Sequence, residues 1–246
     1  MKHYSLGITD RDRVNGAFGG GLPAGSVCLV EGGHGSGKSV LTQRMAYGLA
    51  EEGTLTGVVS TEMKVGEYVE QMESLSYSVL DHILDDRLLF YHADTDTHEF
   101  DGTHEVGTRS LLRRLFEPSP LWKGDVIVVD SFGTLLLNDP EFDAAVERGE
   151  GDHVMQRVVS ALRALTARDR SVVLTVSPEI VSEKYLYPLR HAAGVYLDIE
   201  MRKVGSDLRR GAVVRKFTGV KEPVEDSITF TVREGRGITI ETRTIA

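Results

Sequence analysis

The sequence reads Gly32-Gly33-His34-Gly35-Ser36-Gly37-Lys38-Ser39 immediately after a short apolar run, residues 26–31. Leu41, Met45 and Leu49 follow at the spacing of one helix face. A strand, a glycine-rich turn and a helix in this order match G-x-x-x-x-G-K-[ST], the pattern of a phosphate-binding loop. Glycine is needed there because backbone N–H groups must curl around phosphate oxygens without a Cβ in the way. The stretch therefore predicts a site for the phosphates of a nucleotide.

The residue types in this loop predict individual roles. We expect Lys38 to reach the β- and γ-phosphates of ATP and Ser39 to ligate Mg²⁺. For His34 the side chain is expected to face solvent, with only its backbone in use. The other backbone contacts to ATP are expected from Gly32, Gly33, Gly35, Ser36, Gly37 and Val40, where the positive end of the following helix adds to the binding.

Strands and amphipathic helices alternate through most of the remaining chain. Buried strands are predicted at residues 55–60, 88–92, 126–130 and 171–176, and Thr61 is expected to cap the helix after the first of these. From residue 194 onward the pattern changes to successive strands without helices, at residues 196–201, 212–217, 228–232 and 238–242. We therefore expect one α/β domain over residues 1–246, with a mainly parallel sheet flanked by helices and an antiparallel, β-rich C-terminal extension.

Two carboxylates end predicted strands and face the same edge of the sheet. Asp130 closes the apolar run Val126–Val129 and is the candidate second ligand of Mg²⁺, although an ordinary strand-terminal aspartate has the same pattern. Ser131 follows it, so a catalytic base directly after the metal ligand is disfavoured. Glu62 is the alternative candidate for positioning an attacking water, because strand ends converge on the ligand crevice. An acidic residue in a first helical turn explains Glu62 equally well.

Composition narrows the class of protein further. The formal net charge is −9, which argues against affinity based on phosphate backbones of nucleic acids. No run of 18 apolar residues occurs, so we expect no membrane insertion. The lone cysteine, Cys28, lies in an apolar run and has no partner for an internal disulfide. These features together predict a cytoplasmic protein.

Several of these segments resemble the RecA/KaiC branch of P-loop ATPases. The resemblance is carried by residues 20–26, the loop at 32–39, Glu62, the Asp130-Ser131 pair and the closing strands at 230–240. Within that branch, residues 60–91 are similar to the accessory ATP-binding proteins of the archaellum motor. The resemblance implies a homo-oligomeric, hexameric ring that docks on the secretion and motor ATPase beneath a membrane platform. It thus implies a cytoplasmic protein held at the membrane periphery by the motor complex.

Two departures from that branch bear on hydrolysis. KaiC-like hydrolases carry paired glutamates where this sequence has Glu62-Met63. They also carry a Lys-x-Arg pair that reaches the γ-phosphate of a neighbouring subunit, and here the strand reads Val214-Arg215-Lys216-Phe217. Arg215 or Lys216 is the candidate cation in trans, and Phe217 stands where the second cation would be. Loss of an arginine finger costs about 10³–10⁵ in rate elsewhere, so the resemblance implies tight ATP binding with slow or no turnover.

Three charged segments leave alternatives open. Residues 92–105 hold three histidines and five acids, which suit either a metal site or a solvated loop that meets a partner. The basic cluster within residues 202–216 suits a subunit interface, an anionic partner or a solvated hairpin. The acidic segment 138–152 argues against DNA. A KaiC-like signalling ATPase therefore remains the main alternative function, with a RecA-like, DNA-dependent ATPase behind it.

Overall fold

The computed structural model describes residues 1–95, 99–100, 110–117, 119–204 and 207–240, with side chains described except at 99–100, 202–204 and 207–208. Most of the segment 92–105 lies outside these residues, as do the end of the last predicted strand and the side chains of Arg202 and Lys203. The strands are β1 His3–Tyr4, β2 Leu22–Pro23, β3 Val27–Gly32, β4 Thr56–Ser60, β5 Leu88–Asp94, β6 Glu99–Phe100, β7 Val126–Asp130, β8 Ser171–Val176, β9 Val195–Val204, β10 Asp207–Phe217, β11 Ser227–Arg233 and β12 Gly237–Ile240.

Helices lie between most of the consecutive longer strands up to β9, as the alternating pattern predicts. They are α1 Thr9–Asp12, α2 Val14–Ala17, α3 Lys38–Glu51, α4 Val65–Ser74, α5 Leu80–Leu84, α6 Leu111–Phe116, α7 Phe132–Leu137, α8 Pro140–Glu147, α9 Gly151–Thr166 and α10 Glu183–Ala192. A 3₁₀ turn spans Pro120–Lys123, where Trp122 is buried and donates from Nε1 to the carbonyl of Leu115 at 2.6 Å. Trp122 therefore packs in the core.

One large sheet organises the described part of the chain. Its strand order is β12-β11-β10-β9-β3-β8-β7-β4-β5-β6. The pairs from β9 through β5 are parallel, and β10, β11 and β12 extend the sheet antiparallel on one side. The expected architecture of a parallel sheet with an antiparallel C-terminal extension is confirmed. Strands β3, β7 and β4 end at the same edge, which brings their following loops together.

Two apolar cores cover the two faces of the sheet. One contains α3, α4 and the C-terminal strands, and the other contains α7, α9 and α10. The N-terminal segment closes the first core by packing on α3. Gly48 permits this contact, because a Cβ there would lie 1.8 Å from the carbonyl oxygen of Leu6. The segment before β3 is thus held directly on the helix that follows the glycine-rich loop.

The predicted cap at Thr61 is wrong. Helix α4 begins at Val65, and the Glu67 carboxylate accepts a hydrogen bond from the backbone N–H of Lys64 at 2.8 Å. Thr61 is instead bound to the end of β7: its backbone N–H donates to the Asp130 carbonyl, and its Oγ1 accepts from the backbone N–H of Ser131. These bonds to the neighbouring strand hold Thr61 in the bend after β4, so the helix starts later.

Candidate nucleotide-binding site

The glycine-rich loop connects the end of β3 to the start of α3. Gly35 and Gly37 have φ of 69° and 100°, in the left-handed region where glycine is free of Cβ strain. Lys38 Nζ donates to the carbonyls of Gly32 and Gly33, at 2.8 Å each. Burial lowers the pKa of the Lys38 ammonium, and the charges of nearby carboxylates act in the opposite direction. The lysine therefore lies folded over its own loop, with its charge facing the cleft.

Asp130 and Ser39 form the part of the site that suits a hard cation. Burial raises the pKa of the Asp130 carboxyl, while hydrogen bonds from Thr175 and Ser39 lower it. The Thr175 hydroxyl donates to Asp130 Oδ1 at 2.6 Å, which fixes the carboxylate beside Ser39. A carboxylate and a hydroxyl are oxygen ligands of the kind Mg²⁺ takes, together with phosphate oxygens and water. The two residues fit the predicted metal role, and no cluster of three acidic, histidine or cysteine ligands occurs among the described residues.

Glu62 lies just past the end of β4, beside the strand that carries Asp130. Strands β4 and β7 are paired so that Ser60 is opposite Asp130. Ser60 Oγ accepts hydrogen bonds from the backbone N–H groups of Glu62 and Met63, at 3.3 and 3.0 Å, and these set the turn. The Glu62 side chain is exposed and lines the same cleft as Lys38 and Asp130. The position suits either role predicted for this carboxylate.

Glu179 is a cleft residue that sequence reasoning missed. It follows β8, and its Oε2 accepts a hydrogen bond from the backbone N–H of His34 at 2.9 Å. A Cβ on Gly33 would lie 2.7 Å from Oε1 of Glu179, so the carboxylate rests directly on the loop. The His34 side chain is exposed, as expected, and the predicted use of its backbone in nucleotide binding stays a prediction. The available signal was the position of Glu179 just after a strand that ends at the ligand edge.

A second contact fixes the strand that leads into the loop. Glu31 is buried at the end of β3, and Arg190 Nε of α10 donates to its Oε2 at 2.7 Å. The Tyr196 hydroxyl donates to the same oxygen at 3.0 Å, and burial raises the pKa of Tyr196 to about 12. Segment 177–192 therefore touches the loop region at two points, through Glu179 and through Arg190.

The cleft has a volume of about 410 Å³, within the range of small-molecule sites. Three carboxylates line it, those of Glu62, Asp130 and Glu179. Arg210 and Val232, from the C-terminal strands, line it as well. The predicted phosphate loop, the predicted metal ligands and Glu62 are therefore brought together in one place.

The two candidate trans cations lie elsewhere on the chain. Arg215 is exposed and its guanidinium donates to Asp198 at 2.8 Å and to Glu200 at 3.4 Å. Lys216 Nζ donates to the carbonyl of His191 at 3.4 Å. Neither residue lines the cleft of its own chain. Their predicted action on a neighbouring subunit stays a prediction.

None of the helices in the described part of the chain is long and apolar enough to cross a bilayer.

The chain is similar to known proteins over nearly its whole length. A family model described as the KaiC ATPase matches residues 6–244. The archaeal flagellar ATP-binding protein FlaH of Methanocaldococcus jannaschii is 30% identical over 239 residues, 96% of this chain and 95% of the relative. The protein of the same name from Methanococcus voltae is 30% identical over 249 residues and covers both chains fully. The crystal structure of the flagellar accessory protein FlaH from M. jannaschii matches with a TM-score of 0.83 at 26% identity, over 98% of this chain and 100% of that one.

Proposed function

Because this chain belongs to the KaiC-type ATPase family and, within it, to the FlaH group of archaeal flagellar ATP-binding proteins, we propose that it binds ATP with Mg²⁺ as a regulatory component of the archaellum motor. Nucleotide occupancy would control assembly of a homo-oligomeric ring and its docking on the motor and secretion ATPase. The protein would act in the cytoplasm, held at the membrane platform by that complex, with weak or no hydrolysis.

Nucleotide binding is supported by the arrangement of the loop and the metal ligands. The backbone N–H groups of the loop and of the first turn of α3 would donate to phosphate oxygens, and the helix adds its positive end. Lys38 lies 2.8 Å from two loop carbonyls and has only to swing outward to reach a phosphate. Asp130 and Ser39 lie together in the cleft, where their oxygens would hold Mg²⁺, which would neutralise phosphate charge.

The observation that carries the regulatory part is the contact between Glu179 and the loop. The Glu179 carboxylate and a phosphate oxygen are both anionic acceptors for the N–H of His34, so they compete for it. Like charges at this distance repel, and binding of a triphosphate would therefore displace Glu179. Segment 177–182 would move with it, and this segment carries Ile180, whose side chain is 49% exposed. Occupancy of the cleft is thereby transmitted to the surface.

The test combines ATP binding, turnover and mass. Wild type, Lys38→Ala and a control, Lys123→Ala, are titrated with ATP and Mg²⁺ in a calorimeter and then measured by light scattering with and without ATP. Lys123 is exposed and precedes β7, at the opposite end of that strand from Asp130. We expect ATP-dependent growth in mass with negligible turnover for wild type and control, and loss of both binding and growth for Lys38→Ala. ATP binding by Lys38→Ala equal to wild type would contradict the phosphate-loop assignment.

A KaiC-like signalling ATPase is the second candidate, and one observation favours it. Glu62 and Glu179 both line the cleft, so a second carboxylate is present although Met63 replaces the paired glutamate. Turnover that is abolished by Glu62→Gln would support this candidate over a binding-only role. Stimulation of turnover by single-stranded DNA, lost at high salt, would instead support a DNA-dependent ATPase.

A further inference from the structure

Arg210 lies beside the glycine-rich loop of its own chain, beyond the level at which β3 ends. Gly32, the last residue of β3, is opposite Ile199 of β9, and Ile199 is opposite Ala212 of β10. Arg210 is opposite Met201, two residues farther along. Strands β9, β10 and β11 therefore continue past the edge of the parallel sheet as a wall beside the loop. Arg210 alternates with Gly211 and shares a face with buried Ala212, the face that packs on α3.

The Arg210 side chain rests on the end of the loop where α3 begins. A Cβ on Gly37 would lie 2.7 Å from Arg210 Cδ and 3.0 Å from its Nε. Gly37 is the N-cap of α3, directly before Lys38. Arginine and loop are thus in van der Waals contact, and the glycine is needed for this contact as well as for its φ of 100°.

The Arg210 Nε–H is buried and has no hydrogen-bond acceptor among the described residues. A buried donor without an acceptor is costly, and it is rare in native proteins. Arg210 nevertheless lines the cleft together with Lys38 and Ser39. A guanidinium with an unused donor at the wall of a phosphate site fits an acceptor that arrives with the ligand.

The cleft carries charges of both signs. Glu62, Asp130 and Glu179 line it, and Asp130 lies beside Ser39, the candidate Mg²⁺ ligand. Arg210 and Val232 line it as well, and Arg210 contacts the loop at Gly37, where α3 begins. The α- and β-phosphates rest on the glycine-rich loop itself. On the basis of the nucleotide binding proposed above, we propose that Arg210 is a same-subunit cation for the α-phosphate of the bound nucleotide, with Val232 against its nucleoside end.

This role differs from that of a cation supplied by a neighbouring subunit. A cation from a neighbouring subunit reaches the γ-phosphate and acts only in the oligomer. Its loss therefore lowers the affinity for ATP and leaves the affinity for ADP unchanged. An α-phosphate contact is made by ATP and ADP alike and is present in the monomer. The two roles therefore differ in nucleotide dependence and in dependence on protein concentration.

The experiment measures Kd for ATP and ADP, with Mg²⁺, for wild type, Arg210→Ala and Arg210→Lys. Arg233→Ala is the control, because Arg233 is an exposed cation one residue from Val232 on β11. We expect Arg210→Ala to weaken the binding of ATP and of ADP equally, by about tenfold or more in Kd. This is the loss typical of removing a hydrogen bond to a charged group. Arg210→Lys should recover part of this loss, since it keeps the charge and not the guanidinium geometry. The control should bind as wild type does.

Thermal unfolding without nucleotide separates binding from folding. Arg210→Ala removes a donor that has no acceptor, so its Tm should equal or exceed that of wild type. ADP affinity unchanged in folded Arg210→Ala, or a loss confined to ATP, would overturn the proposal. If wild type itself binds neither nucleotide, the proposed function fails, and that outcome is separate from a failure of Arg210 alone.

Discussion

Replacing Asp12 by alanine removes the carboxylate that neutralises a fully buried arginine. Arg44 lies in α3, and its side chain and that of Asp12 are both 0% exposed. The guanidinium pairs with both carboxylate oxygens of Asp12 and donates to the carbonyls of Leu6 at 2.6 Å and Gly7 at 3.0 Å. This cluster ties the N-terminal segment to the helix that starts at the phosphate loop.

The magnitude follows from burial. Removing one partner of a buried ion pair leaves an uncompensated charge in the core and costs about 3–5 kcal/mol. In a domain of this length, 1 kcal/mol corresponds to about 2–4 °C in Tm. Asp12→Ala should therefore lower Tm by about 6–20 °C. An exposed pair provides the contrast: Arg87 and Asp85 are 41% and 61% exposed, and such pairs contribute about 0–1 kcal/mol.

The assay is thermal unfolding followed by calorimetry and circular dichroism. Wild type, Asp12→Ala, the double variant Asp12→Leu with Arg44→Met, and the control Asp85→Ala are compared at one pH. The double variant should recover part of the loss, because an apolar pair of similar volume removes the buried charge altogether. A Tm of Asp12→Ala within about 2 °C of the control would refute the reasoning, since an unpaired buried charge destabilises the fold by more than this shift allows.

Three further predictions concern the cleft and the core. Burial raises the pKa of Asp130, so this group stabilises the fold only at low pH, and the contribution is lost as pH rises through the folded pKa. Without nucleotide, Asp130→Asn should therefore raise Tm more at pH 8 than at pH 4, and an equal shift in Tm at both pH values would contradict this. The ATP affinity of the variant should also lose its dependence on Mg²⁺. Glu179→Gln should tighten ATP binding, measured by titration, because the carboxylate that competes for the His34 N–H loses its charge; weaker binding would indicate that Glu179 assists the ligand. Burial raises the pKa of the Cys28 thiol to about 12, so a maleimide should label it at pH 8 only after denaturation. Rapid labelling of the folded protein would contradict the burial of Cys28 in the core.

The phosphate-loop motif and the order of strands and helices along the chain were predictable from sequence because their determinants are local, whereas the metal role of Asp130 stays a prediction. Two glycines, a lysine and a serine at fixed spacing after an apolar run specify strand, turn and helix within about 25 residues. The change from alternating helices to successive strands near residue 194 likewise predicted the antiparallel extension. Periodicity and turn chemistry act over a few residues, so one sequence suffices to recognise them.

Predictions from local sequence failed where the position of a residue depends on a contact that is distant along the chain. Thr61 is a residue type common at helix caps, but its hydrogen bonds to the end of β7, 70 residues away, hold it outside the helix. Glu179 contacts the loop N–H across a separation of 145 residues, which only the adjacency of β3 and β8 makes possible. The burial of Asp12 against Arg44 depends on how the N-terminal segment packs on α3.

The sequence by itself thus determined the type of site, because the motif of a phosphate loop consists of consecutive residues. The tertiary structure decided which side chains surround it. Arg210 and Glu179 enter the cleft only because strand order and register place β10 and the end of β8 beside the loop. Register is a property of paired strands, set by packing across the whole sheet, and no short stretch of the chain contains it.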